Sequence, residues 1–399
     1  MGEYKSRRFS VPQRSLLILG PRGTGKSTFI RRELKPQLEI DLLSSKDFRV
    51  LSKDPSELES MVAHLSKNET VFIDEIQKLP ILLDEVHRLI EKYKIKFYLT
   101  GSSARKIKRE GVNLLAGRAS VRKFFPLSMV ELGEKVKIQD LIFRGTLPGS
   151  LFSVDDEEAN DFLWSYVNTY LKEEIFQESL TRNIQEFTHF IEVAGQYHGQ
   201  IINFENISRE IGKSGDTVRS WFQILSDTLV GDLLLPCPLK IYPRETQHPK
   251  FYYFDPGVAR AAEGHKTVQG IPEKQGYYFE TIILNELRSY ISYANLDMKI
   301  FYYNVPSVGD IDFVVEVRKK TLNASAKYIA IEVKNATTWD AKFEKVLRVF
   351  ADKKPEKLLK SVGVYRGSRR LTRDGVHVFP VESFVQQLWS GKLLSDGDI

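Results

Sequence analysis

Short apolar runs separated by amphipathic stretches open the chain. Leu16–Leu19, Leu38–Leu42, Val71–Asp74 and Phe97–Thr100 read as strands, and the segments between them carry a helical period. Buried strands that alternate with helices predict a parallel sheet covered by helices. After the turn signal Gly145-Thr146-Leu147-Pro148-Gly149, residues from about 155 to 230 read as helices and end in a Pro- and Tyr-rich stretch around 236–256. From Gly276 a helix precedes two alternating strands, Ile311–Val317 and Tyr328–Lys334, and then a mixed helix and strand tail. The expected fold class is α/β. A parallel-sheet domain spans 1–150, a helical domain 151–265 and a second α/β domain 266–399.

Composition changes this picture little. A chain of 399 residues, 42% hydrophobic and 28% charged, has apolar side chains for more than one core and is not a disordered polymer. No apolar run has the 18 or so residues that cross a bilayer, and the first residues lack an apolar leader, so the expectation is a cytoplasmic protein with no membrane partner. The single cysteine, Cys237, excludes an internal disulfide and a cysteine zinc site. A net charge of +6 tilts the expected partners toward polyanions only slightly.

The chemistry begins at Gly20-Pro21-Arg22-Gly23-Thr24-Gly25-Lys26-Ser27, followed by Thr28. This is G-x-x-x-x-G-K-[ST] directly after a strand and before the helical stretch Thr28–Leu34, the context in which it binds phosphates. Glycines let the backbone approach the phosphates, and amides at a helix start supply donors. Lys26 would reach the β- and γ-phosphates of ATP, and Ser27 would ligand Mg²⁺. The strand Val71–Asp74 ends in Asp74-Glu75, which places Asp74 in the magnesium shell and Glu75 as general base toward the attacking water. A third strand runs into Gly101-Ser102-Ser103, where Ser102 or Ser103 is either a sensor of the γ-phosphate or an ordinary turn hydroxyl. Arg118 is either a stabiliser of phosphate charge, donated across a subunit interface, or a surface ion pair.

The segments FIDEIQKLP, YLTGSSAR, LLAGR and FPLSMVEL resemble the AAA+ ATPase family of bacteria and archaea whose members carry an uncharacterised carboxy-terminal domain. Looser similarity continues through Gly145–Pro148, Tyr166–Tyr170 and Phe251–Gly257. The resemblance implies a homo-oligomer, commonly a ring, driven by nucleotide.

In the middle segment Ile207–Gly212 and Asp216–Leu225 form the outline of a helix-turn-helix, with Asp216 as expected N-cap. Val218, Trp221, Phe222 and Leu225 share its buried face. Lys213, Ser214, Thr217, Arg219, Ser220 and Gln223 are left polar, as in a helix that reads DNA or in a structural winged helix. Leu233–Tyr242 and Phe251–Phe254 would form the wing, with Lys240, Arg244 and Lys250 toward phosphates.

In Gly309–Val315 alternation puts Ile311, Phe313 and Val315 on one face and Asp310 and Asp312 on the other. In Tyr328–Lys334 the apolar set is Ile329, Ile331 and Val333, so Glu332 and Lys334 project together, roughly 7 Å apart along the strand. The order Asp312, Glu332, Lys334 resembles the PD-(D/E)xK nuclease superfamily, without a proline just before the first acid; Pro306 lies several residues upstream. That resemblance implies a restriction-endonuclease-like fold. Asp312, Glu332 and the intervening carbonyl would hold Mg²⁺, Lys334 would assist the attacking water, and Glu280, on the helix from Gly276, would be an additional ligand. Tyr365, Arg366, Arg369, Arg370 and Arg373 read as a phosphate-contacting edge or as a solvated loop.

The expectation is an ATP-hydrolysing AAA+ protein that binds DNA, branched or junction DNA included, and couples turnover to remodelling or cleavage. The alternative is a nucleotide-dependent switch acting on a protein partner, with an inactive nuclease-like domain.

Overall fold

The computed structural model describes residues 4–103, 117–133, 136–171, 184–239, 248–265, 272–305 and 308–395. Leu115, Ala116, Lys240, Arg244 and Pro306, which entered the reading above, lie outside them.

The first segment builds a five-stranded, all-parallel sheet from β1 (Ser15–Leu19), β2 (Leu38–Asp41), β3 (Thr70–Asp74), β4 (Lys96–Gly101) and β5 (Ala119–Lys123), in the order β2-β3-β4-β1-β5. Its three central strands, β3, β4 and β1, are buried on both sides, which is why they read as continuous apolar runs rather than as alternation. The four strands anticipated from sequence are present to within a residue or two at each end. β5 escaped notice because its outer half, Val121–Lys123, carries two basic residues and is partly exposed. After the phosphate-binding sequence the chain turns into a short helix, α1 (Lys26–Phe29), and continues as a wider π-helical turn over Ile30–Leu34. Helix α2 (Leu82–Tyr93) covers one face through Leu82, Leu83, Val86 and Leu89.

The middle segment contains α3 (Asp156–Ser165), α4 (Phe204–Ile211) and α5 (Gly215–Asp227). A tight corner joins α4 to α5, with Gly212 at φ 70, a conformation that costs glycine least. The N-cap of α5 is Ser214, not Asp216: the Ser214 hydroxyl accepts the Thr217 N–H at 3.1 Å, and Asp216 lies inside the first turn. Val218, Trp221, Phe222 and Leu225 are buried as the period required, with Ile224 added. A two-stranded antiparallel ladder follows, β6 (Gly231–Leu234) with β7 (Lys250–Tyr253).

The last segment opens with α6 (Gln275–Tyr293) and then forms a six-stranded mixed sheet. Its strands are β8 (Lys299–Val305), β9 (Gly309–Arg318), β10 (Lys327–Lys334), β11 (Leu358–Tyr365), β12 (Leu371–Arg373) and β13 (Val376–Pro380), in the order β12-β13-β11-β10-β9-β8. The simple alternation expected for β9 does not hold. Ile311 packs with Val314 in one cluster and Phe313 with Val315 in another. The cause is a bulge, where β8 shifts register against β9 between Phe301 and Tyr303 and sets Asp312 and Phe313 in the kink.

One hydrophobic core runs through the middle and last segments. It joins Phe190, Trp221 and Phe222 to Tyr252, Phe279, Ile331 and Phe384. Beyond β6 the chain reaches the last sheet: the Cys237 N–H donates to the Tyr302 carbonyl at 2.7 Å, and the Tyr302 N–H to the Leu235 carbonyl at 3.1 Å. Among the described residues no helix is long and apolar enough to cross a membrane.

Candidate functional site

Two clusters of polar side chains lie inside this frame. The first sits at the carboxyl edge of the parallel sheet, where β1, β3 and β4 end. Gly20 closes β1 against Phe124, and a Cβ there would lie 2.2 Å from the Phe124 carbonyl oxygen, so no other residue fits without moving the backbone. Gly23 and Gly25 have φ of 76 and 91, the left-handed region that lets the loop curl. Thr24 pins the curl by donating to the Pro21 carbonyl at 2.9 Å. The buried Lys26 ammonium donates to the Gly20 and Pro21 carbonyls at 2.7 and 2.9 Å, which holds it along the loop.

β3 delivers Asp74 to the same edge. Its Oδ1 accepts the Ser27 hydroxyl at 2.9 Å and also the Thr100 hydroxyl from β4. Burial pushes the Asp74 carboxyl above its ordinary value, although both hydroxyls favour the charged form. Glu75 follows in the left-handed region, φ 58, which turns the chain sharply off the strand. The Gln77 amide donates to Glu75 and, at 2.8 Å, to the Ser102 hydroxyl, so one side chain ties both together. Ser102 is thus joined to Glu75 through Gln77, a contact that sequence reading did not anticipate. The only signal for Gln77 was its position two residues after the acids.

Arg118 is not brought to the loop within one chain. The register of Ser15 against Ala119 puts it at the amino edge of the sheet, roughly 17 Å from the loop by strand rise, in an ion pair with Glu91.

Beside the loop lies a cavity of about 440 Å³, lined by Tyr4, Leu127, Pro148 and Phe152 next to Gly25 and Thr28. The middle segment leans on the same loop: the Tyr166 hydroxyl donates to the Arg22 carbonyl at 3.0 Å.

The second cluster gathers Glu280 from α6, Asp310 and Asp312 from β9, and Glu332 and Lys334 from β10 around a cavity of about 610 Å³. Asp312 Oδ2 accepts the Val333 N–H at 2.8 Å. Lys334 pairs with Glu332 and lies 4.0 Å from Asp312. Asp312, Glu332 and Lys334 are thus brought together as sequence reading expected. Burial first, and then the charge of Asp312, push the Glu332 and Glu280 carboxyls up. Burial alone would push the Lys334 ammonium down, but Asp312 and Glu332 outweigh it and hold it above its ordinary value.

Glu280 is placed differently from a ligand that shares one point with the other acids. It accepts the Tyr252 hydroxyl on Oε2 at 2.8 Å, and among the described residues no three acidic, His or Cys side chains converge closely enough to form a metal cluster by themselves. Asp312 and Glu332 nonetheless present hard carboxylate oxygens to the cavity, the kind of donor that Mg²⁺ takes. Glu332 Oε2 is buried without a hydrogen-bond partner, the kind of atom that a cation would satisfy.

Lys250, expected on an exposed wing, is buried instead. Its ammonium lies 3.3 Å from Asp310 and 3.9 Å from Asp312. The arginine group beyond β11 is partly committed to structure. Arg366 donates to the Asn335 side chain at 2.9 Å, Arg370 stacks over Phe379 at 5.0 Å, and the buried Tyr365 donates to the Arg369 carbonyl at 2.6 Å. Tyr365 is in register with Lys334, and the basic residues that line the acidic cavity besides Lys250 and Lys334 are Lys342 and Lys345. On α5, Arg219 lies over Phe204 at 4.7 Å, and in the corner before α5 Lys213 pairs with Glu186 at 2.6 Å.

Comparison with known proteins divides the chain in three. Residues 12–133 match the family described as an AAA domain, 135–269 a domain of unknown function (DUF8612), and 275–384 another (DUF4143). The uncharacterized proteins Rv2008c of Mycobacterium tuberculosis and Mb2031c of Mycobacterium bovis are each 24% identical over 329 residues, 81% of this chain and 70% of theirs. Among solved structures, the Aeropyrum pernix ORC1 protein in complex with DNA aligns with 65% of this chain and 88% of its own, at 10% identity and a TM-score of 0.30. Can2 from Sulfobacillus thermosulfidooxidans, in complex with cyclic tetra-adenylate, aligns with 96% and 99%, at 11% identity and a TM-score of 0.23. Overlaps that slight carry no argument about arrangement or ligand. The amino-terminal match is to an AAA domain, the type that binds and hydrolyses ATP, and it coincides with the phosphate-loop sheet.

Proposed function

We propose that the AAA-type ATPase domain of this chain drives an oligomeric protein that binds DNA, branched or junction DNA included, and couples ATP turnover to remodelling or cutting it. The observation that carries the reading is the convergence of Lys26, Ser27, Asp74 and the Glu75–Gln77–Ser102 chain at one sheet edge. In this reading the triphosphate lies on the amides of residues 20–27, with Lys26 toward its outer phosphates. The base enters the slot of Tyr4, Leu127, Pro148 and Phe152. Ser27 and Asp74 would hold Mg²⁺, which would supply charge neutralisation for the phosphates. Glu75 takes a proton from the water that attacks the γ-phosphorus as the β–γ bridging bond breaks, Gln77 fixes Glu75 relative to Ser102, and Ser102 senses the terminal phosphate. Arg118, remote within its own subunit, serves the site of a neighbour in a ring.

The DNA half of the proposal rests on α4 and α5 as a winged helix with β6 and β7, and on the acidic cavity as a PD-(D/E)xK-like site. Ser214, Ser220 and Gln223 are exposed along α5. Asp312, Glu332 and the Val333 carbonyl would hold Mg²⁺, Lys334 would orient the attacking water, and Lys342 and Lys345 would meet phosphates at the rim. The test is a set of linear, forked and four-way DNAs scored for binding across salt concentration, for ATPase stimulation and for Mg²⁺-dependent nicking. The expected result is affinity that falls steeply with salt, and nicking that disappears in Glu332→Ala and Lys334→Ala. Binding without nicking would leave a DNA-binding ATPase with an inactive nuclease-like domain. No binding at low salt would replace the proposal with a nucleotide switch acting on a protein partner.

A further inference from the structure

The acidic cavity is walled from two segments. Lys250 and Tyr252 are two apart on β7, so they leave the strand on the same face, and both end in the acid cluster of the last segment. Lys250 reaches Asp310 and Asp312 at 3.3 and 3.9 Å, and the Tyr252 hydroxyl reaches Glu280 Oε2 at 2.8 Å. Tyr252 has no freedom to do otherwise. Its side chain is fully buried, its ring meets His198 edge-on at 5.6 Å and packs against Phe313 at 6.3 Å, and its backbone is held in the ladder opposite Asp232. Glu280 is nearly as confined, at 9% exposure on the inner face of α6. A rigid donor on one segment therefore fixes the rotamer of an acid on another. Glu332 Oε2 on the same cavity is buried without a hydrogen-bond partner, an atom that a cation would satisfy.

We infer that Tyr252, contributed by the middle segment, is a positioning residue for the cation site of the last segment, acting through Glu280. The inference rests on the reading of that cavity as a divalent-metal site. Glu280 lines the same cavity as Asp312 and Glu332, where it would shape their field and hold water at a bound ion. Freed of its donor it would turn away from Asp312 to shed the repulsion between the two buried acids. Losses of this outer-shell kind lower metal affinity by about 10- to 100-fold.

The probe is Mn²⁺ binding to the full-length protein without nucleotide, followed by calorimetry or electron paramagnetic resonance. The site's share of the signal is the part that Glu332→Ala removes. Tyr252→Phe deletes one oxygen and leaves the packing intact, and it is expected to weaken that share about tenfold or more. Glu280→Gln is expected to do the same, and the double variant no more than Glu280→Gln alone, since the tyrosine acts through the glutamate. An unchanged melting temperature and ATP affinity in Tyr252→Phe separate this from damage to the fold. Wild-type protein with no share that Glu332→Ala removes would sink the metal-site reading, and the inference with it. A genuine wild-type site that Tyr252→Phe leaves untouched, or weakens equally in the Glu280→Gln background, would overturn the inference alone.

Discussion

Glu75 and Ser102 depend on a third side chain to stay in register. Gln77 is buried and spans both, so with Glu75 as the proposed base Gln77→Ala should lower kcat for ATP by tenfold or more while nucleotide affinity stays within about twofold, because the tether is made to Glu75 and Ser102 and not to the phosphate loop. Equal losses in kcat and affinity, measured by steady-state hydrolysis and equilibrium binding, would show that it holds the loop instead. A second residue-scale consequence concerns Glu263. Burial pushes its carboxyl up to about 7 from 4.5, and its Oε1 is buried without a hydrogen-bond partner. The folded protein thus keeps a proton that the unfolded chain gives up near 4.5. The stabilisation is complete below that pH and is lost as pH rises through 7, by up to about 3 kcal/mol. Urea denaturation from pH 4.5 to 8 should show this decline, and Glu263→Gln should flatten that part of it.

Elements were legible to very different degrees. The strands of the first sheet and the corner between α4 and α5 showed in the sequence because burial on both faces and helical period leave strong local signals. The cap of α5 did not, since Ser214 and Asp216 are both good capping residues and only the backbone decides between them. The reading of β9 failed at Ile311 because a bulge depends on the partner strand, and nothing local encodes it. Lys250 looked like a surface cation because its partners, Asp310 and Asp312, lie 60 residues on. Of the candidate site residues, those within one motif were found, while Gln77, Tyr252 and the cavity beside the loop needed tertiary contacts. The cap correction can be checked directly. Ser214→Ala should cost about 1 kcal/mol in urea denaturation and Asp216→Ala distinctly less, because only Ser214 satisfies an otherwise unpaired amide of α5.

Across the whole molecule, Arg7 joins what the sequence separates. Its guanidinium donates to the Thr24 carbonyl of the phosphate loop at 3.0 Å, to Glu131 at 3.1 Å, to the Pro126 carbonyl at 3.2 Å and to the Tyr293 hydroxyl at the end of α6 at 3.1 Å. α6 carries Glu280 nearer its other end, so one helix connects the nucleotide loop to the acidic cavity over about 20 Å. Arg7→Met would leave the Glu131 carboxylate buried without its cation. It should cost about 3–5 kcal/mol in urea denaturation and weaken ATP binding with it.

The central claim is that the glycine loop and the acids of β3 form a working ATP site. It is tested most directly by measuring ATP binding and phosphate release side by side in wild type, Lys26→Ala and Glu75→Gln. The account predicts binding and turnover in wild type, neither in Lys26→Ala, and binding with turnover reduced by about 10²-fold or more in Glu75→Gln. Normal phosphate release by Glu75→Gln, or a wild type that binds no ATP, would contradict it.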